Sequence, residues 1–429
     1  MKKTGEAEEY FSVFVEEKPT RKGKLQGLTF SFKDNICVKG TETKASSKIL
    51  EGYKPLFDAT VVERIRGEGG QIIGKTVQDE FGFGSFSTNT GLGIKPPRNP
   101  VDKERVTGGS SGGSAAAAKI LDKHVSIAES TGGSIANPAA FCGVIGFTPT
   151  YGLVSRYGLI DYANSLDKIG VMSRNMKDAA ITLSVIAGSD GRDMTCTAEK
   201  EVYEDYLGKS VKGMTIGIPK EYVKDLDPEV EKGFLETKKM LESKGVKFKE
   251  VSLKKNAEYS IPAYYIIAMC EASTNLAKYS GLRYGYTEEM KGEHYDKFFS
   301  RIRGNAFGEE TKRRILLGTF ARTTGYRDAY YDKALRVRTL LIEEYKEVFK
   351  ECDALMHPTM PILPPTFEEA GKLTPLQNYM LDLLTVGANL AGLPHISVPA
   401  KNTKLPVGVM LTANHFEEGK LITLGESLE

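Results

Sequence analysis

The sequence predicts an α/β protein with an at least partly parallel sheet, and three stretches carry that expectation. Residues 214–251 read as strand, helix, strand: MTIGIP, a long amphipathic helix opened by Asp227-Pro228 and ended by Gly245, then VKFKEV. That is a βαβ unit, which joins parallel strands. Residues 28–36, LTFSFKDNI, alternate apolar and polar. As a strand they place Leu28, Phe30 and Phe32 on one face and Thr29, Ser31 and Lys33 on the other. Residues 107–150 hold two Gly-Gly-Ser turns, ending at Ser110 and Ser134, with helix-like SAAAAKIL and strand-like HVSIA between them. A turn, a helix, a strand and a second turn return both serines to one edge of a sheet.

The remaining elements follow in order. DATVVERIRGEGG reads as a helix capped by Asp58, with Val61, Val62 and Ile65 as its apolar stripe and Gly67 and Gly69 as its stop. The overlapping GGQIIGKT matches the phosphate-loop spacing. A phosphate loop follows a strand and opens a helix, whereas this stretch follows a helix and contains Ile72-Ile73, so it reads as turn and strand. Ser114 is placed to cap the SAAAAKIL helix. NMKDAAITLSVIAG is a helix closed by Gly188, and residues 261–350 are mostly helical, rich in charges and tyrosines. ALMHPT, HISVPA and LPVGVMLTA are late strands. No shift in composition marks a boundary, so residues 1–429 read as one domain with a helical insertion around 261–350.

Composition excludes several classes. With 40% hydrophobic residues among 429, the chain can bury a large core. Its 58 basic and 56 acidic residues leave a net charge of +2, no excess to hold nucleic acid unaided. Five scattered cysteines, with no CxxC pair or Cys/His cluster, argue against zinc and suit a reducing cytoplasm. The start turns acidic before an apolar run could form a signal peptide, and no stretch is apolar for long enough to span a membrane. A cytoplasmic location is expected.

Two hydroxyls held in glycine turns suggest a serine nucleophile among backbone N–H groups. Gly109 to Gly113 also fits GxSxG, which would make Ser111 the nucleophile and require a histidine base. His124, His294, His357, His395 and His415 all lie outside the turns. Lys33 stands at a strand end, where lysine is ordinarily solvated. Under the elements that cover a sheet it would instead be neutral and able to act as a base.

With these residues in place, the chain resembles the amidase signature family. The resemblance rests on GGSSGGSAAA, TGGSI and FCGVIGF, and runs from LTFSFKDN nearly to the last residues. PTYGLVSRYGLIDYANSLDKIGVMSRN, YYIIAMCEASTNLAKYSGLRYG and KRRILLGTF are similar to the glutaminase subunits of tRNA-dependent amidotransferases within it. The resemblance implies a large mixed central sheet flanked by helices on both faces. It implies Ser134 as nucleophile, Ser110 as a bridging serine preceded by a cis peptide bond, and Lys33 as base. Backbone N–H groups of Thr131, Gly132 and Gly133, with that of Ser134, would form the oxyanion hole, and Ser111 would add a supporting hydrogen bond. Tyr265, Arg314 and Asp382 would bind glutamine, whose carboxylate suits a guanidinium fork and whose ammonium suits a carboxylate. Ammonia would pass to a B-like subunit that amidates Glu-tRNA(Gln), or also Asp-tRNA(Asn), with a small C-like subunit clasping both. No metal or cofactor is expected in this chain; ATP and Mg would belong to the partner, which would also make most of the tRNA contact. The alternatives are a stand-alone amidase acting on small or aryl amides and a catalytically silent scaffold subunit. Two positions depart from the family pattern: Glu129-Ser130 precede TGGS where an Asp is usual, and Ala136-Asn137 follow GGSI where an Arg is common.

Overall fold

The computed structural model describes residues 4–429, so residues 1–3 of the expected domain lie outside it. Eleven strands form one mixed sheet: β1 (Phe11–Phe14), β2 (Thr29–Lys33), β3 (Gln71–Thr76), β4 (His124–Ser130), β5 (Ile145–Thr148), β6 (Lys168–Ser173), β7 (Thr215–Pro219), β8 (Lys247–Val251), β9 (Ala354–Pro358), β10 (His395–Pro399) and β11 (Gly408–Thr412). Their spatial order is β1-β3-β2-β4-β6-β5-β10-β11-β9-β7-β8. β3, β2 and β4 are parallel neighbours, as are β9, β7 and β8, and the strands between β4 and β9 pair antiparallel. The βαβ expectation for β7 and β8 is met in register, Thr215 opposite Lys247 through Pro219 opposite Val251.

Alternation along β4 and β6 shows why helices lie on both faces. Ile127 and Val171 share the main core with Val61, Val62 and Ile65 of the helix Thr60–Gly67 and Ala179, Ala180 and Leu183 of the helix Met176–Ile186. Their neighbours Ala128 and Met172 pack on the other side against Ala115 and Ala118 of the helix Gly112–Ile120. The alanine run keeps that helix slim, so it lies close over the strands that carry the site.

Several local expectations are corrected. The first predicted strand stops at Lys33, and Asp34 already turns away to face Lys75, 3.7 Å between Oδ1 and Nζ. Asp58 does not cap its helix: Ala59 holds the N-cap, and the Asp58 carboxylate accepts from the Lys39 N–H and from Arg66. Ser114 caps nothing; Ser111 is the N-cap residue, and the Ser114 hydroxyl pairs with that of Thr76 at 2.6 Å. The helical stretch expected from around 261 begins earlier, in a helix that runs Lys254–Asn275 with Pro262 inside it. This helix packs with Tyr295–Ala306, Glu309–Arg322 and Tyr331–Val348 around a second core that includes Phe81, Phe83, Tyr162, Tyr264 and Tyr265. No helix among the described residues is long and apolar enough to cross a membrane.

Candidate active site

β2 and β4 run parallel, so Lys33 and the turn after Ser130 emerge at the same edge of the sheet. Ligand sites in α/β sheets gather outside such carboxyl ends. The chain reaches the first Gly-Ser turn from β3, through a loop whose Asp79 accepts the N–H groups of Ser87 and Asn89 at 2.9 and 2.8 Å. Burial pushes the Asp79 carboxyl up to about 6. The turn itself contains a cis peptide bond between Gly109 and Ser110. A side chain at Gly109 would start 2.3 Å from the Asp79 carboxylate, so only glycine fits the approach.

Lys33 is fully buried, and its Nζ donates to Ser110 Oγ at 2.8 Å. It also donates to the Glu129 carbonyl and to Glu129 Oε2, both at 2.9 Å. The dry setting expected for this lysine is present, but a carboxylate shares it, which the strand pattern did not foreshadow. Ser111 donates to the Glu129 carbonyl at 3.2 Å. Ser110 is fully buried, whereas Ser134 is 7% exposed, the one hydroxyl of the pair that a substrate can reach. None of the hydrogen bonds of the five histidines reaches Ser110, Ser111 or Ser134 among the described residues.

Thr131, Gly132 and Gly133 form the tight link from β4 into the helix Ala136–Cys142. Gly133 is required there: a Cβ would lie 2.5 Å from the Asn137 amide and from Thr385 Oγ1. The loop is held from outside by Asn389, whose amide donates to the carbonyls of Ser130 and Leu166 at 3.3 Å each and also to that of Thr131.

One cavity is lined by Ser134, Tyr265, Arg314 and Asp382, together with Ser85 and Asn137. It adjoins a wider cleft between Phe83, Arg313, Arg314, Leu373 and Tyr379. Asp382 is the N-cap residue of the helix Leu383–Leu390. It accepts from Tyr265 OH at 2.6 Å, Ser85 Oγ at 2.9 Å and Asn137 Nδ2 at 2.9 Å. Asn137, one of the two departures from the family pattern, thus serves this carboxylate directly. Burial pushes the Asp382 carboxyl above its usual range. Arg314 is 3% exposed, bonded by Nε to Glu310 at 2.8 Å and by Nη1 to Tyr162 OH at 2.6 Å. Its guanidinium lies between 5.1 and 5.7 Å from the ring centres of Phe83, Tyr162, Tyr265 and Tyr379. Burial opposes its charge, but the Tyr162 phenol and the Glu310 carboxylate outweigh that and hold it ionised.

Sequence reasoning missed Ser85, Glu129, Asn137 and Asn389. Glu129 and Asn137 had a signal, since both sit where the family pattern is broken. The others come from loops and helices far away in the chain. Among the described residues, no group of three His, Cys, Asp or Glu side chains could hold a metal ion.

The comparisons with known proteins agree with this geometry. The family profile described as Amidase matches residues 11–422. The A subunit of the glutamyl-tRNA(Gln) amidotransferase of Carboxydothermus hydrogenoformans is 48% identical over 422 residues, 97% of this chain and 86% of that protein. The protein of the same name from Halothermothrix orenii is 47% identical over 412 residues, 95% of this chain and 85% of its own length. Among solved structures, the A subunit of the glutamyl-tRNA(Gln) amidotransferase of Thermotoga maritima superposes with a TM-score of 0.81 at 38% identity, covering 98% of this chain and 86% of that one. The peptide amidase of Stenotrophomonas maltophilia superposes with a TM-score of 0.77 at 27% identity, covering 95% and 83%. A profile match over nearly the whole sequence and relatives close to half identical leave one reading of the two glycine-serine turns: this chain belongs to the amidase family.

Proposed function

We propose that this chain is the glutaminase subunit of a tRNA-dependent amidotransferase, releasing ammonia from glutamine for a B-like partner that amidates Glu-tRNA(Gln). The observation that carries the reading is that Ser134, Arg314 and Asp382 line one cavity. A buried cation and a buried carboxylate in one small pocket complement a zwitterionic amino acid, whereas a plain aryl amide offers a partner to neither charge. Ser134 attacks the side-chain amide carbon. Its proton passes to Ser110, whose own proton passes to Lys33, because a serine hydroxyl is a weak nucleophile until a base relieves it of the proton. The N–H groups of Thr131, Gly132, Gly133 and Ser134 receive the oxyanion. The C–N bond then breaks, the nitrogen takes the relayed proton, ammonia leaves, and water hydrolyses the glutamyl ester by the same route. ATP, Mg and most of the tRNA contact belong to the B-like subunit, and a small C-like subunit holds the two together.

The test is ammonia release from glutamine by the chain co-purified with its B-like and C-like subunits. Ser134→Ala should abolish release, yet leave the complex able to amidate Glu-tRNA from added ammonium. Turnover of unrelated amides with glutamine ignored would point to a stand-alone amidase, and silence in the complex to a scaffold. An acyl group trapped on Ser111 would restore the GxSxG reading.

A further inference from the structure

Glu129 has no part in the scheme above, yet it supplies two of the three hydrogen-bond partners of the Lys33 amine. The Lys33 side chain is 0% and that of Glu129 1% exposed, with 2.9 Å between Nζ and Oε2. Full opposite charges this far from water each cost several kcal/mol, and a proton passed from one to the other removes both.

A second observation fixes where the neighbouring proton lies. Thr131 Oγ1 is 2.7 Å from Glu129 Oε1 and 2.8 Å from Asp167 Oδ1. A hydroxyl has one proton to donate, so one of these carboxyls brings its own. Asp167 lies at the floor of a cleft bounded by Arg156 and Asp193, its Oδ2 taken by the N–H groups of Tyr162 and Ala163. Burial, then the charge of Glu129, push it well above the usual carboxylate range. Asp167 therefore donates to Thr131, and Thr131 donates to Glu129. One strand away, the fold repeats the theme: burial pushes Asp34 up and Lys75 down, driving that pair towards its neutral form.

We propose that Lys33 and Glu129 share one proton and work as a single basic unit, with Glu129 the positioning residue and Asp167, protonated across Thr131, keeping a second negative charge away. An N–H bond of the Lys33 ammonium breaks as an O–H bond forms on Glu129 Oε2, and the two charges vanish together. A turn about Cε–Nζ then aims the free electron pair at Ser110, which delivers the proton from Ser134. The active form holds the same number of protons as the resting form. The other ionisable groups near the unit are Asp79, on the loop after β3, Arg156 beside Asp167, and Tyr162 with Arg314 on the substrate side. Asp79 titrates at about 6, so the informative range lies above it.

This rests on Lys33 being the base, and the experiment separates the two. The pH dependence of kcat/KM for glutamine is measured in the assembled complex from about pH 6.5 to 8.5, where it reports ionisations of the free enzyme. The wild-type profile is expected to be flat within about twofold. Glu129→Gln leaves the amine without its proton acceptor, and the rate should then climb about tenfold per pH unit on the acid side, as one proton must be lost to solvent. Glu129→Asp should restore a flat profile at a reduced rate, and Asp167→Asn, which mimics the protonated acid, should keep it flat. A wild-type profile with unit slope, or a Glu129→Gln profile parallel to wild type, overturns the shared proton, and the first needs no variant to fold. Turnover by Lys33→Ala would instead overturn the base assignment itself.

Discussion

Arg314 is held on every side before any substrate arrives. Two hydrogen bonds and four aromatic rings fix its plane, so under the proposed function a substrate carboxylate would meet a donor fork already oriented. Lysine keeps the charge but loses the fork and the stacking. Arg314→Lys is therefore expected to raise KM for glutamine by about 10–100-fold, roughly 1.4–3 kcal/mol, with kcat changing less. Steady-state kinetics on the complex check it, and an unchanged KM would remove Arg314 from substrate binding. Asp382 carries its own pH signature. Its carboxyl sits above the usual range because it is buried, so it takes up a proton sooner than an exposed one as the solution is acidified. A neutral acid holds an ammonium group poorly, so KM should rise as pH falls while kcat holds. Asp382→Asn should have a high KM throughout, with that pH dependence gone.

The elements around these side chains explain what the sequence could show. β2 was legible because its alternation is local, and so were the two glycine-serine turns. The helix starts at residue 112, ahead of the expected cap Ser114, whose hydroxyl is paired with that of Thr76 on β3, a contact the local sequence does not show. Pro262 lies inside the helix Lys254–Asn275, which packs against the helix Glu309–Arg322 despite proline's ordinary preference for helix ends. Asn389 carried no local signal: it lies on a short apolar helix, and its role exists only once three distant carbonyls are brought to it. Removing it leaves buried carbonyls without a donor, at about 1–3 kcal/mol each in the worst case. Asn389→Ala should therefore lower the melting temperature and cut kcat by at least about tenfold as the loop of Thr131 to Gly133 loosens, with KM less affected. A kcat equal to wild type would show that the loop holds its shape unaided.

At the scale of the whole molecule, the mixed sheet seals several histidines from water. Burial pushes His124 down to about 3 and His357 to about 4. His124 is enclosed by the hydroxyls of Thr29, Ser31 and Ser126. The unfolded chain protonates both near 6.5 and the folded chain does not, so their contribution is complete above that pH and is lost as pH falls below it. Each histidine costs about 1.4 kcal/mol per pH unit until its folded value is reached. Urea midpoints should decline steadily from about pH 6.5 towards 4, and His124→Asn should soften the decline. The order in which the site's parts occur along the chain has a consequence in time. Lys33, Ser110 and Ser134 lie in the first third of the chain, whereas Asp382 and Asn389 lie near its other end. At about 5–20 residues per second, the ribosome finishes the first group tens of seconds before the second emerges. On the proposed assignment, a growing chain thus carries its nucleophile long before it carries the residue that would hold the substrate's amine. A ribosome-arrested chain halted ahead of Asp382 is expected to release no ammonia from glutamine, so the hydrolase stays latent until its synthesis is nearly over.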